Sequence, residues 1–223
     1  MRIPTVDVCY HFLDTPPITW TEAWKGFLKE LSPEQLTKMR KFLHHGDQLR
    51  YLIGRILIRR LFRMYGHPEN ASHHLSVSSF GRPLTDLPLD FNLTHSGQFV
   101  LCAGSTDCRV GIDTEQCKSI DFADFKSVMT PSQWDVIHTA DNPELAFFHY
   151  WTMKESVIKA DGRGLSRPLH EIEVVDMQVA DEAMQWHLHK IEMYPGYPTY
   201  LTTDVPSVNV RLHRWTMGAE DIH

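Results

Sequence analysis

Three stretches of the chain hold side chains whose types and spacing could do chemistry. In Val110-Gly111-Ile112-Asp113-Thr114-Glu115, apolar residues lead into two carboxylates at i and i+2. On a strand such a pair points to one face, where the two charges repel unless a cation lies between them. Magnesium takes oxygen ligands, often one or two carboxylates plus water and substrate phosphates; a solvated strand end would show the same pattern. Gly111 beside them suits either close approach of a ligand or a bulge. In Trp151-Thr152-Met153-Lys154-Glu155-Ser156-Val157-Ile158-Lys159-Ala160, Trp151, Glu155 and Lys159 recur every four residues along one helix face. Glu155 and Lys159 could be an ordinary surface ion pair. Trp151, however, draws that face inward, where a carboxylate and an ammonium need partners such as a metal and a phosphate. In Phe91-Asn92-Leu93-Thr94-His95-Ser96-Gly97, the Thr-His-Ser run offers donors for phosphate oxygens, although one histidine among 14 is as readily structural. Gly81-Arg82-Pro83 sets one further cation in a turn.

The elements that must position these groups come in two similar sets. Leu31-Ser32-Pro33-Glu34-Gln35-Leu36 matches Met129-Thr130-Pro131-Ser132-Gln133-Trp134, with Thr130 98 residues after Ser32. A hydroxyl N-cap followed by proline starts a helix. Aromatic residues at helical spacing precede each start: Trp20, Trp24 and Phe27, then Phe122 and Phe125. The same offset carries a helix over 51–64 (core positions Leu52, Ile56, Leu57, Leu61) onto one over 144–160 (Leu145, Phe148, Trp151, Ile158). It also carries a strand–glycine–strand pattern at His95–Leu101 onto Tyr194–Leu201. Two copies at this period make no solenoid. The spacing predicts a duplicated α+β protein with an antiparallel set of strands in each half, residues 1–106 and 107–223. Ligand sites commonly form where two such halves meet.

Composition narrows the classes. The 223 residues are 42% hydrophobic and 22% charged, a globular balance. No apolar stretch is long enough to span a membrane, and Met1–Asp14 lacks the apolar core of a signal peptide. Cys9, Cys102, Cys108 and Cys117 show neither CxxC pairing nor metal spacing, which predicts reduced thiols in a cytoplasmic protein. The net charge of −6 is uneven: residues 38–63 hold eight basic side chains and only Asp47 (+7), and the rest holds 14 basic and 27 acidic (−13). That segment is either a solvated face or an anion site. The acidic remainder argues against nucleic acid and for a small polyanion. No P-loop and no GxGxxG is present, so kinase and dehydrogenase readings lack support.

Together, Gly81-Arg82-Pro83, Phe91-Asn92-Leu93-Thr94-His95-Ser96, Gly111-Ile112-Asp113-Thr114-Glu115 and Trp151 to Ala160 with Gly162 and Gly164-Leu165 resemble the Sfp-type 4'-phosphopantetheinyl transferase family in order and spacing. The resemblance runs from about Ser32 to Leu169. It implies that the halves are α/β sandwiches with antiparallel sheets forming a pseudo-dimer, which binds coenzyme A in the cleft between them and moves the phosphopantetheine arm onto a serine of an apo acyl, peptidyl or aryl carrier protein, releasing 3',5'-ADP. It implies Mg²⁺, with Mn²⁺ as a substitute, held by Asp113, Glu115 and Glu155, with Glu155, Lys159 and Asp113 as the catalytic groups. Lys38, Arg50, Arg82, Thr94, His95, Lys154, Lys159 and Asp113 become the coenzyme contacts. It implies a monomer without nucleic-acid or membrane partners, and apolar carrier contacts from Ile120–Met129. Two departures stand out: Thr94 replaces a serine and keeps its hydroxyl, and Gln35 replaces a lysine, which removes one expected phosphate contact. Rival readings are a magnesium-dependent coenzyme A hydrolase and a non-catalytic coenzyme A or carrier-binding module.

Overall fold

The computed structural model describes residues 2–13, 22–164, 167–180 and 184–216. Trp20 and Leu165, singled out above, lie outside the described residues. Two four-stranded sheets form the centre. The first has the order β10 (Asn209–Arg214), β1 (Thr5–Phe12), β5 (Phe99–Ser105), β4 (Asp90–Ser96). The second has the order β6 (Val110–Thr114), β9 (Thr199–Thr203), β8 (Gln185–Lys190), β7 (Gln178–Ala180). A short hairpin, β2 (Ser76–Val77) with β3 (Pro83–Leu84), stands apart. The helices are α1 (Glu22–Gly26), α2 (Pro33–Met39), α3 (His45–Met64), α4 (Pro131–Thr139) and α5 (Pro143–Asp161).

Strand alternation builds four layers. Cys9, Val100 and Cys102 of β1 and β5 face α3, whose Leu49, Leu52, Ile53, Ile56, Leu57 and Leu61 are at most 1% exposed. Each fully buried aliphatic side chain of this kind contributes about 1.5–3 kcal/mol. Val6, Val8, Phe99, Leu101 and Ala103 face the other way and pack on Val110, Ile112 and Leu201 of the second sheet. Beyond that sheet, Tyr200, Trp186 and Leu188 meet Met153, Val157 and Ile158 of α5. The order is therefore helix, sheet, sheet, helix.

The repeat holds down to single hydrogen bonds. Ser32 Oγ accepts from Gln35 N at 3.3 Å, Gln35 Oε1 accepts from Ser32 N at 3.1 Å, and Gln35 Nε2 donates to the Ser72 carbonyl at 3.1 Å. Thr130 and Gln133 repeat the box at 3.3 and 3.1 Å, and Gln133 Nε2 donates to the Ile172 carbonyl at 3.1 Å. Gln35 is thus a buried capping residue, which explains a non-basic side chain at that position.

Two features depart from the sequence expectation. The first sheet is not wholly antiparallel, because β10 pairs parallel with β1, Thr5 opposite Asn209. The strand that completes the first sheet thus comes from residues assigned above to the second half, and a cut at 106/107 does not separate the two sheets. Asp7, 1% exposed, seals this return by accepting from Arg211 (2.8 and 2.7 Å), His213 (2.7 Å) and Tyr65 (2.9 Å). Burial pushes its carboxyl up, but these donors outweigh that and hold it below the usual range. All four cysteines are free.

Candidate active site

Strand β6 and helix α5 approach unusually closely because residue 111 has no side chain. A Cβ on Gly111 would lie 2.2 Å from the Ser156 carbonyl oxygen and 2.3 Å from the Ala160 nitrogen. The glycine therefore serves helix–strand contact, neither of the two uses read from sequence. Asp113 and Glu115 follow at i+2 and i+4 and point to the same, α5-facing side. Helix α5 begins at an Asn142 cap and ends at Gly162 in the left-handed region (φ 83°), so Lys159 sits in its last turn and Glu155 one turn before that.

These residues meet. Lys159 Nζ donates to Asp113 Oδ1 (2.6 Å) and to Thr94 Oγ1 (3.0 Å), and Thr94 Oγ1 donates to Asp113 Oδ1 (2.9 Å). Asp113 is 3% exposed, and its Oδ2 is buried with no hydrogen-bond partner. Glu115 Oε2 accepts from Ser96 Oγ at 2.6 Å. Burial raises the Glu115 carboxyl; Ser96 opposes this and the nearby Asp113 adds to it. Burial likewise raises Glu155, with Asp113 and Glu115 reinforcing and Lys159 opposing. A cleft of ≈ 450 Å³ is lined by Leu93, Thr94, His95, Asp113, Glu115, Trp151, Glu155 and Lys159. Among the described residues, no three His, Cys, Asp or Glu side chains stand together as a ready metal cage.

The cleft lies where two edge strands face each other. β4 ends the first sheet and β6 the second, and side chains rather than a backbone ladder join them. Val110 N donates to Asp90 Oδ2 (2.7 Å) and Ile112 N to Asn92 Oδ1 (3.0 Å). Thr94 and Ser96 then reach Asp113 and Glu115, and Gln116 N donates back to Ser96 Oγ at 3.0 Å. Every second residue of β4 is thus a polar rung, while Phe91 and Leu93 between them face the α3 core. Asp90 and Asn92 were given no role from sequence, and Ser96 was read there as a donor for phosphate rather than as a partner of Glu115. The alternation of polar and apolar residues along 90–96 was the available signal.

The remaining expected site residues divide. His95 lines the cleft; partial loss of water around its ring, then Arg50 and Lys159, lower its pKa from the usual imidazole value. Arg50 stands behind it, donating to the Gly97 carbonyl (2.9 Å) and to Asp47 (2.7 Å). Lys38 is exposed on α2 and does not line the cleft. Other cations of the basic segment are engaged in packing: Arg59 pairs with Glu30 at 3.5 Å, and Arg60 lies over Trp215.

Two expected coenzyme contacts are engaged by protein partners. Lys154 is fully buried, and its Nζ donates to the carbonyls of Val128 (2.7 Å) and Leu169 (3.0 Å); burial pushes its pKa down to about 8. Arg82 is 8% exposed. Its guanidinium donates to both Asp90 oxygens (2.9 Å each) and to the carbonyls of Val110 (2.9 Å), Phe91 (3.3 Å), Ala160 (3.2 Å) and Lys159. The last carbonyls of a helix have no partner within it. In α5, Gly162 N takes that of Ile158, Arg82 takes those of Lys159 and Ala160, and Arg109 takes that of Asp161. Arg82 caps and clamps the end of α5, and it also lines a pocket with Glu155 and Lys159.

Known proteins similar in sequence point to one family. The profile of the 4'-phosphopantetheinyl transferase superfamily matches residues 109–198, and that of the 4'-phosphopantetheinyl transferase N-terminal region matches residues 18–107. The chain is 32% identical over 182 residues to 4'-phosphopantetheinyl transferase Sfp of Bacillus subtilis (strain 168), covering 77% of this chain and 81% of that protein. It is 31% identical over 178 residues to 4'-phosphopantetheinyl transferase ffp of Bacillus subtilis, covering 75% and 79%. A further Bacillus subtilis 4'-phosphopantetheinyl transferase is 36% identical over 151 residues, 65% of this chain and 66% of that protein. With both halves matched in order and the acidic cleft formed between them, the chain belongs to the 4'-phosphopantetheinyl transferase family.

Proposed function

We propose that this protein transfers the 4'-phosphopantetheine arm of coenzyme A to a serine hydroxyl of an apo carrier protein, releasing 3',5'-ADP. The observation that carries the reading is the cleft in which Asp113, Glu115 and Glu155 converge beside Lys159 and Thr94. Phosphoryl transfer depends mainly on positioning and charge neutralisation, and this cleft offers both.

The donor set fits a divalent cation. Asp113 Oδ2 is buried without a partner; burial and the neighbouring Asp113 raise the proton affinity of Glu115 and of Glu155, a repulsion that a cation relieves. Magnesium needs only one or two protein carboxylates when substrate phosphates supply the rest, so a partial cage suffices. Asp113, Glu115 and Glu155 would hold it, and when bound it supplies charge neutralisation at the pyrophosphate. Manganese has the same oxygen preference.

The chain's own groups do the remaining work. Lys159 Nζ offsets charge developing on the leaving phosphate, and Asp113 and Thr94 fix its position. His95 presents its ring on the opposite wall. The attacking serine's proton passes to a carboxylate of the cleft. Glu155 suits this role: burial, Asp113 and Glu115 raise its pKa. Phe122 and Phe125 pack at 5.8 and 5.1 Å from Phe147, and Phe125 at 5.8 Å from Trp151 in the cleft wall. This half-buried aromatic run gives a carrier an apolar face leading to the site. One chain supplies both walls of the cleft, which favours a monomer. Free thiols favour the cytoplasm, and no helix among the described residues is long and apolar enough to cross a membrane.

The test is intact mass spectrometry of apo acyl, peptidyl and aryl carriers incubated with the protein, coenzyme A and Mg²⁺. One phosphopantetheine gained, and lost with EDTA or with the carrier serine changed to alanine, is the expected result. No gain on any carrier despite coenzyme A binding would favour a hydrolase or a binding module.

A further inference from the structure

The four rungs of β4 do two different jobs. Asp90 and Asn92 accept from main-chain nitrogens of β6 and so hold the strand. Thr94 and Ser96 donate to the carboxylates themselves. Thr94 is shared between Asp113 and Lys159. Ser96 has no such second site partner: its hydroxyl proton goes to Glu115 Oε2 at 2.6 Å, and its lone pair takes the Gln116 N–H at 3.0 Å. One hydroxyl therefore fixes both a carboxylate and the main chain one residue beyond it, from the opposite half of the molecule.

Glu115 needs such a tie. It lies just past the end of β6, where residue pairing with β9 stops at Thr114 opposite Thr199; beyond that its N donates to the Pro198 carbonyl at 3.2 Å, and the Trp151 side chain is the other hydrogen-bonding neighbour of its carboxylate. Asp113, by contrast, is inside the strand and bound by two donors. Ser96 is the last residue of β4, opposite Phe99 across the Gly97 turn, so the ladder sets its position. A short O–H···O⁻ bond from a fixed hydroxyl orients a carboxylate strongly. A ligand's outer partners of this kind typically govern metal affinity by about 10–100-fold.

We infer that Ser96 is a positioning residue that aims the Glu115 carboxylate into the cleft and sets how tightly the site holds a divalent cation. The inference rests on the proposed metal role of Glu115. It assigns Ser96 no contact with coenzyme A.

The experiment uses the full chain with coenzyme A and reads Mn²⁺ affinity from the free-ion electron paramagnetic resonance signal. Coenzyme A affinity without metal is measured by calorimetry alongside. Ser96→Ala is expected to weaken Mn²⁺ binding by about 10–100-fold, leaving metal-free coenzyme A affinity unchanged. Ser96→Thr, which keeps the hydroxyl, is expected to restore it. In a Glu115→Gln background, Ser96→Ala is expected to add little, because the two act through one bond. Unchanged Mn²⁺ affinity in Ser96→Ala would overturn the inference, as would full additivity with Glu115→Gln. An equal loss of metal-free coenzyme A affinity would make Ser96 a ligand contact. Loss of the folded state would make it a structural link. Wild-type protein that binds no Mn²⁺ would instead fail the metal reading itself, and this inference with it.

Discussion

Lys159 Nζ lies 2.6 Å from Asp113 Oδ1, while the other oxygen of the same carboxylate is buried and without a partner. The aspartate is thus divided between a fixed cation on one side and an open acceptor on the other. A cation held in the cleft would give that oxygen the partner it lacks, and the ammonium beside it suits a phosphate.

Replacing Lys159 with alanine removes a group aimed at developing charge. Turnover is expected to fall on the order of 10²–10³, with the melting temperature changing little, because the side chain is partly exposed. Parallel kinetics and thermal melts check this. A rate near wild type would exclude Lys159 from the chemistry.

Gly111→Ala should damage the site without touching a polar group. The new methyl would collide with α5 backbone at 2.2 Å, forcing the helix that carries Glu155 and Lys159 away from Asp113. Overpacking of this kind costs about 1–3 kcal/mol. Gly26→Ala, whose Cβ would meet open space, is the control. Urea titration with activity measured on the same samples decides it; wild-type activity in Gly111→Ala would show that α5 can shift without consequence.

Arg82→Ala is expected to lower stability by on the order of 2 kcal/mol, from the loss of charged hydrogen bonds at the end of α5. Coenzyme A affinity should fall only in step with unfolding. Arg82→Lys should recover little, since an ammonium cannot span the fork of acceptors. A Lys variant with full stability, or an Ala variant of full stability and weak coenzyme A binding, would return Arg82 to the role of phosphate contact.

Lys154 predicts a pH dependence. Its pKa is pushed down to about 8 in the folded protein, against about 10.4 when unfolded. Below about pH 8 the penalty for burying the charge is fully present. Between the two values the unfolded chain binds the extra proton, so stability rises with pH. Wild type should therefore gain on Lys154→Met as pH climbs from 8 to 10, read from urea midpoints. A constant difference would mean that the buried ammonium keeps its ordinary proton affinity.

Local rules carried most of what the sequence made visible. The capping boxes at Ser32 and Thr130 depend on residues three apart, and the Asp113–Glu115 and Glu155–Lys159 faces follow from strand and helix periods. Contacts between distant segments obey no such period. Arg82 reads as a loop cation until α5 is placed against it, and Lys154 reads as one of three charges on a helix until the loops at Val128 and Leu169 close over it. The polar row at 90–96 was visible as alternation, but its meaning depends on β6 lying opposite.

The parallel pairing of β10 with β1 has a consequence for synthesis. Thr5 is translated long before its partner Asn209. Until then the first sheet lacks an edge strand, and Asp7 sits without Arg211 and His213. Domains normally fold in order as they emerge, but here the N-terminal sheet cannot be completed before the C-terminal one has been translated. Such distant pairing is slow to form. A nascent chain stalled anywhere before residue 209 would hold an open β1 edge, making late arrest, rather than early arrest, the point at which this protein most needs a chaperone.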